Sequence, residues 1–458
     1  MEVQPTNFRS ETFTGYLPAR KDASVPGPRG RRLLGSLLEV RRDRLKFVTH
    51  ATQTYGDLIC FRMGPKRLYL LNHPDYARHV LCENETNYRK GLGLIEAKPL
   101  LGEGLLTSDG ELWASQRRLL QAAFHNKRMD DFSTSMINAA HATLERWQER
   151  ASSEEVLDIA HEMVGLTINI LGSTLFRIDL KETSEDLSRD LTLLTRWAMS
   201  RMTSIWRLPV YVPTPKNRRA RAALRRLESL VETMIRQHDH FSDESLLSLM
   251  AAQQNDKQVR DEVMTLLLAG HETTAATLTW VWYLLSQHPE VERRLHAEVD
   301  QVLEGRRPTL SDLPRLVYTK MVVSETLRLY PPVWLLPRKT INPDRLDGHI
   351  IPANSDVLVC VYTIHRHPHF WDDAERFDPQ RFAPDKGAER DSCAYLPFGA
   401  GPRTCLGSRF GLMEVMLVMA TIAQRFSLRL AGDQKIEPEA SLTLHPRRGL
   451  PMRLHRRQ

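Results

Sequence analysis

Residues 398–407 read Phe398-Gly399-Ala400-Gly401-Pro402-Arg403-Thr404-Cys405-Leu406-Gly407. Small residues and a proline make a loop that delivers Cys405 to the start of an apolar helix, expected over Gly407 to Phe426. Glycines let backbone approach a flat ligand closely, and amides at a helix N-terminus favour the thiolate, the form of cysteine that binds iron. Other glycine-loop readings fail. No Lys-Ser/Thr follows the glycines, as a phosphate loop requires, and no GxGxxG opens a helix after a buried strand.

Outside this loop the cysteines are uninformative. Cys60, Cys82, Cys360 and Cys393 are scattered without a CxxC pair, which signals neither a disulfide framework nor a zinc site, and each is expected to be a small buried apolar residue. Of 458 residues, 41% are apolar and 26% charged, which excludes a disordered, collagen-like or small disulfide-stapled chain. Sixty-three Lys+Arg against 56 Asp+Glu leave a charge of +7, gathered in Lys216 to Arg226 and Arg447 to Arg457. These are read as solvated faces, and no aromatic-rich basic patch points to nucleic acid. No run reaches the ~20 apolar residues of a membrane span, and MEVQPTNFRSETFTG lacks the basic tip and apolar run of a signal peptide. A cytoplasmic protein is expected.

Working outward, Pro26 to Gly30 (PGPRG) form a rigid turn after a flexible arm, residues 1–25. Asp57 to Met63 and Arg67 to Asn72 alternate as strands around Gly64-Pro65, and Glu111 to Met250 has helical periodicity, with a helix, loop and helix unit between Ser184 and His240. Val259 to Gln287 is apolar on nearly all faces, and at about 1.5 Å per residue it spans roughly 43 Å. Such a helix is buried. Helices over Pro289 to Leu303 and Tyr318 to Leu329 and short strands from Trp334 to Cys360 follow. Nothing marks a linker between independent domains, so residues 26–458 are read as one unit, mainly α with a small β-rich portion.

Three more clusters interrupt this pattern. Ala269-Gly270-His271-Glu272-Thr273-Thr274 sets a glycine, an acid and two threonines among leucines, where the helix is expected to loosen and make room for a small molecule. A packing notch with a satisfied threonine would look the same. Glu325-Thr326-Leu327-Arg328 places an acid and a base on one helix face, and Phe377-Asp378-Pro379-Gln380-Arg381-Phe382 is a turn-rich segment with one arginine between aromatics.

With these in order, FGAGPRTCLG resembles the haem-binding signature of the cytochrome P-450 superfamily, the haem-thiolate monooxygenases. AGHETT resembles the oxygen-activating segment of the family's long distal helix, ETLR its Glu-x-x-Arg helix, and Arg381 the arginine completing a Glu-Arg-Arg triad. Trp113 and Arg117 in ELWASQRR resemble its Trp-x-x-x-Arg helix. The match runs over roughly residues 26 to 457.

The resemblance implies haem b with Cys405 as iron ligand, Arg403, Trp113 and Arg117 at its propionates, and Phe398 shielding the sulfur. Ala269 would border the haem, with Thr273 hydrogen-bonding dioxygen or its water and Glu272 feeding protons from solvent. His271 would face away. Glu325, Arg328 and Arg381 would form a buried network holding the ligand loop. The activity implied is insertion of one oxygen atom from O2 into an apolar terpenoid, fatty acid, steroid or polyketide by hydroxylation or epoxidation. Electrons would come from a separate ferredoxin or flavodoxin with its reductase, docked near Arg118, Lys127, Arg128 and Arg409. The pocket would draw on Tyr88 to Leu106, the helices flanking Pro209 to Pro215, Met264 to Ala269, Val333 to Leu336 and Leu442 to Leu444. A peroxide-using or peroxide-rearranging haem-thiolate enzyme and a haem sensor are the alternatives; both fit the acid/threonine pair less well.

Overall fold

The apolar helix expected at Val259 runs from Asp256 to Gln287, begun by Asn255, whose side chain accepts the Gln258 N–H at 3.0 Å. This computed structural model describes residues 25–124, 128–151, 155–202, 209–238, 245–386 and 390–457. The expected N-terminal arm therefore lies outside the described residues, except for Val25.

The central helix does not break at Gly270. It is α-helical throughout, and Thr273, Thr277 and Thr279 bond back to the carbonyls of Ala269, Thr273 and Ala275 at 2.7–2.9 Å. Such bonds add to the helical ladder rather than replace it, so the threonines did not unwind the turn as expected. Gly270 lines the cavity described below and also serves close approach. A Cβ there would come within 2.8 Å of Leu171, which belongs to the Ile159–Leu171 helix lying along the central one. The Thr167 hydroxyl also donates to the His271 carbonyl at 3.1 Å. Ile159–Phe176 is, among the described residues, the one stretch long and apolar enough to cross a membrane, and 61% of it is buried inside the fold.

Pro289–Leu303, Val317–Leu329 and Ser408–Ala423 fall near their expected bounds, Ser184–Met202 and Pro215–His238 form the expected pair, and Gly110–Ala123 and Met129–Ala151 lie along the stretch read as helical. In the helix, loop and helix unit the Trp197 indole donates to Asn217 at 3.0 Å and Arg226 clamps Asp190, so the basic run has an acidic partner within the fold.

The β portion centres on five strands in the order Leu58–Met63, Lys66–Leu71, Asp356–Val359, Leu336–Thr340, Tyr88–Lys90. Met63 pairs with Lys66, leaving Gly64-Pro65 as a two-residue turn. A second sheet joins Val156–Asp158, Pro451–Arg456 and Phe426–Leu430. Neither Val156–Asp158 nor Phe426–Leu430 reads as a strand in the sequence. The first has three residues, too few for a period, and the second begins where the last helix was expected to be still running. Two separate apolar clusters matter for the site. One surrounds the central and last helices, and the other fills the space between the N-terminal helices, the five-stranded sheet and Trp334.

Candidate active site

A cavity of about 490 Å³ opens between these clusters, within the usual ligand-pocket range. The central helix, the ligand loop and segments 90–94, 105–106, 333–338 and 441–443 wall it. Trp113, Arg117, Ala269, Glu272, Thr273, Phe398, Arg403 and Cys405, drawn from three separate stretches of sequence, all line it. Glu325, Arg328 and Arg381 do not. Met199 and Met202 come from the first helix of the central pair, but the second contributes nothing, and Leu444 is buried behind the wall.

Backbone bonds hold the ligand loop closed. The Cys405 N–H donates to the Phe398 carbonyl at 2.9 Å and the Thr404 N–H to that of Gly401 at 3.0 Å. Gly401 has φ +70°, and a Cβ on it would fall 1.8 Å from the Leu81 carbonyl oxygen, so only glycine fits. Protein surrounds Cys405, yet its surface is open because it faces the cavity. Burial pushes the thiol up, while the Gly407 N–H and Arg117 pull it down. The Gly407 amide thus favours the thiolate, as the sequence suggested, against the burial that opposes it.

Cations crowd one side of the cavity. Arg117 donates to the Thr404 carbonyl at 3.0 Å, and the Arg117 and Arg403 guanidinium carbons lie 5.7 and 5.3 Å from the centre of the Trp113 ring. Arg403 also meets Asp109 at 2.7 Å. Lys90 and Arg338 sit directly opposite one another on neighbouring antiparallel strands, a pairing that like charges disfavour. Burial and the nearby arginines push Lys90 down to about 7, and burial, followed by Arg403, pushes Arg338 down to about 10.

On the central helix, Thr273 faces the cavity one turn beyond Ala269. Glu272 accepts the hydroxyl of buried Thr443 at 2.7 Å, so its partner is a protein hydroxyl rather than the solvent expected from sequence. His271 points away, its Nδ1 against the Leu267 carbonyl. Behind the helix, Glu414 is wholly buried, its carboxyl driven well above the usual range, with the Thr274 hydroxyl as its polar neighbour.

Glu325 and Arg328 are both fully buried, bound side by side at 2.7 and 2.8 Å. Arg328 spends its remaining N–H groups on the carbonyls of His365, Ala374 and Arg376 at 2.7–3.1 Å. Arg381 approaches Glu325 at 3.4 Å and donates to Asp373 at 3.1 Å. The network therefore clasps the 365–378 segment, not the ligand loop directly as the sequence reading had it. His365 makes the link: its Nε2 accepts the Leu396 N–H at 2.7 Å, two residues before Phe398, and burial pushes it down to about 3, keeping it neutral.

A grouping of Asp57, His73 and His367 has metal-like spacing. However, Nδ1 of each ring already accepts a backbone N–H, from Asp75 at 3.2 Å and His369 at 3.3 Å. Each Nε2 thus carries the proton and has no lone pair for a metal, so the cluster is a hydrogen-bond network.

The family model described as Cytochrome P450 matches residues 25–451, nearly all of the chain. The chain belongs to the cytochrome P450 family. It is 38% identical over 438 residues to cyclooctatin synthase of Streptomyces melanosporofaciens, covering 93% of this chain and 94% of that one. It is 37% identical to cyclooctat-9-en-7-ol 5-monooxygenase of the same organism (90% and 91% covered) and 33% identical to pentalenene oxygenase of Streptomyces avermitilis (91% and 94%). This P450 is accordingly a haem-dependent monooxygenase. The family binds haem b through a cysteine thiolate and uses O2 and a redox partner to oxidise organic substrates.

Sequence reasoning held Lys90 and Thr443 only within broad pocket segments and did not name Arg338 or His365 among the residues of the P450's site. Lys90 and Arg338 have no local signal, since only strand pairing brings them together. His365 and Thr443 act through backbone or side-chain contacts made across long stretches of chain. The outer arm of the cavity, walled by Val40, Arg44, Phe47, Val48, Phe61 and Leu68, comes from N-terminal segments whose apolar spacing looks like ordinary core.

Proposed function

We propose that haem b occupies the cavity with Cys405 as its iron ligand and that the substrate is an apolar terpenoid. One observation carries the assignment: of five cysteines, Cys405 alone lines the cavity. The surplus of cations fits the group too, because Lys90, Arg117, Arg338 and Arg403 have Asp109 and Glu262 as their acidic neighbours and would gain partners in two propionates. When bound, the haem supplies the oxygen-activating redox chemistry. The chain's residues do the rest. Phe398 anchors the loop through its carbonyl, Ala269 and the leucines exclude water, and Glu272, held by Thr443, passes a proton to the Thr273 hydroxyl at the cavity wall. Glu325, Arg328 and Arg381 are structural, and residues 26–458 form one haem domain.

Leucine, valine, phenylalanine and methionine dominate the walls away from the cations, which suits a hydrocarbon skeleton. The names of the relatives, an unsaturated alcohol 5-monooxygenase and a pentalenene oxygenase, support the terpenoid class over fatty acids or steroids. Arg44 in the outer arm, whose Nη1 donates to the Ala440 carbonyl at 2.7 Å, offers a polar contact for an oxygen already on such a substrate. A ferredoxin or flavodoxin would dock on the basic face of exposed Arg118 and Arg409 with Arg128; Lys127 lies outside the described residues.

The test is turnover of a terpene and terpene-alcohol panel under ¹⁸O2, with binding read first from the haem spin-state shift. A product carrying one labelled oxygen is expected. A shift with fatty acids alone, or label arriving only from water, would overturn the reading. Thr273→Ala is expected to keep binding and divert electrons to hydrogen peroxide.

A further inference from the structure

Two of the cysteines that the sequence left as bystanders are neighbours. The Cys82 and Cys393 thiols lie close enough to interact, though 311 positions separate them along the chain. Cys82 is exposed in the π-turn His79–Glu83, while Cys393 is buried in a separate apolar cluster that also holds Val80, Leu81 and Leu396. Arg78 lies beside both sulfurs and is fixed there by ion pairs to Asp75 and Asp391. Asp391 in turn accepts the Cys393 N–H at 2.7 Å. The two backbones are thus held together by contacts other than the thiols themselves. Neither thiol lines the cavity.

We propose that Cys82 and Cys393 are a peroxide-sensitive thiol pair that closes to a disulfide. Exposed Cys82 reacts first. Its thiolate attacks one oxygen of hydrogen peroxide, the O–O bond breaks, and a sulfenic acid and one water form. The Cys393 thiol then attacks that sulfur, displacing the second water as the S–S bond forms. Two thiols lose two electrons in all, one peroxide gains them, and both thiol protons end in water. The pair and the exposed entry are what such a site needs, and the Arg78 guanidinium favours the thiolate against the burial that opposes it.

Its position gives the bond a consequence. Gly401 of the ligand loop packs directly on Leu81 and Cys82: a Cβ there would lie 1.8 Å from the Leu81 oxygen and 3.3 Å from the Cys82 Cα. The turn holding Cys393 leads through Leu396 into the same loop. A disulfide would therefore staple the turn beneath the loop to the segment that enters it. Burial pushes both thiols up and Arg78 opposes it, so closure should quicken as pH rises.

Peptide mapping of the holoenzyme tests this. The holoenzyme is treated with hydrogen peroxide, its remaining thiols are alkylated, and it is cut with trypsin after Arg78, Arg89, Arg390 and Arg403, which puts Cys82 and Cys393 on separate peptides. The expected result is one linked pair, 79–89 with 391–403, lost on reduction with dithiothreitol. In Cys393→Ser, Cys82 should instead be trapped by dimedone as sulfenic acid. Separately alkylated Cys82 and Cys393 after peroxide, or equal dimedone labelling of Cys82 in wild type and Cys393→Ser, would overturn the proposal.

Discussion

The Glu325 network and the cation group beside Trp113 are both buried and charged, and they differ in whether the charges balance. Arg328 has five N–H groups and five acceptors, two on Glu325 and three on backbone carbonyls. Its demands are met by the protein alone. Lys90 and Arg338 instead face each other across two strands, and each is pushed down by burial and by the other cations. Natural folds rarely leave like charges so placed without a counter-charge. A balanced group marks a support, and an unbalanced one marks a place where an anionic ligand completes the structure.

The contrast can be broken in three ways. Removing a partner from the balanced group should cost most. Glu325→Ala strands a fully buried guanidinium and should lower the apoprotein's unfolding free energy by about 3–5 kcal/mol. Denaturant titration measures it, and a loss under about 1 kcal/mol would mean that the network is not the support described.

Removing a member of the unbalanced group should do the reverse to the apoprotein. Arg338→Met relieves repulsion from Arg403 and Lys90, so the apoprotein should be as stable as wild type or more so. Haem retention should fall, by about 1.5–3 kcal/mol if one charged hydrogen bond is lost, or roughly ten- to a hundredfold. Haem transfer to an acceptor globin reads this directly. Equal damage to apoprotein and holoprotein would erase the distinction.

The smallest effect is a pH dependence. Lys90 is about 7 when folded and near its ordinary value unfolded, so between about pH 7 and 10 the unfolded chain binds the extra proton. Apoprotein stability should therefore rise across that window. Haem retention should fall across it, because propionates favour charged Lys90. Asp109 and Glu262 pull Lys90 up while Arg403 and Arg338 push it down, so the slope belongs to the group, but Lys90→Met should flatten both trends.

Features carried by local spacing were legible in the sequence. The central helix, the helix bearing Glu325 and Arg328, and the ligand loop stand out because each repeats a period or places small residues where backbone must come close. Eight residues named from motifs line one cavity. What stayed hidden depends on pairing between distant segments: Lys90 against Arg338, His365 beneath Leu396, Cys82 beside Cys393. No single-residue pattern encodes a strand register or a contact across three hundred positions. Gly270 is a mixed case. It lines the cavity as expected, yet the helix stays regular there, and the missing Cβ also admits Leu171.

The most direct test of Cys405 as the iron ligand is the absorption spectrum of the reduced, CO-bound holoenzyme, compared with Cys405→Ser. Wild type should give the thiolate-ligated P450 band, and the variant should lose it while the other four cysteines remain. Retention of that band in Cys405→Ser would contradict the account.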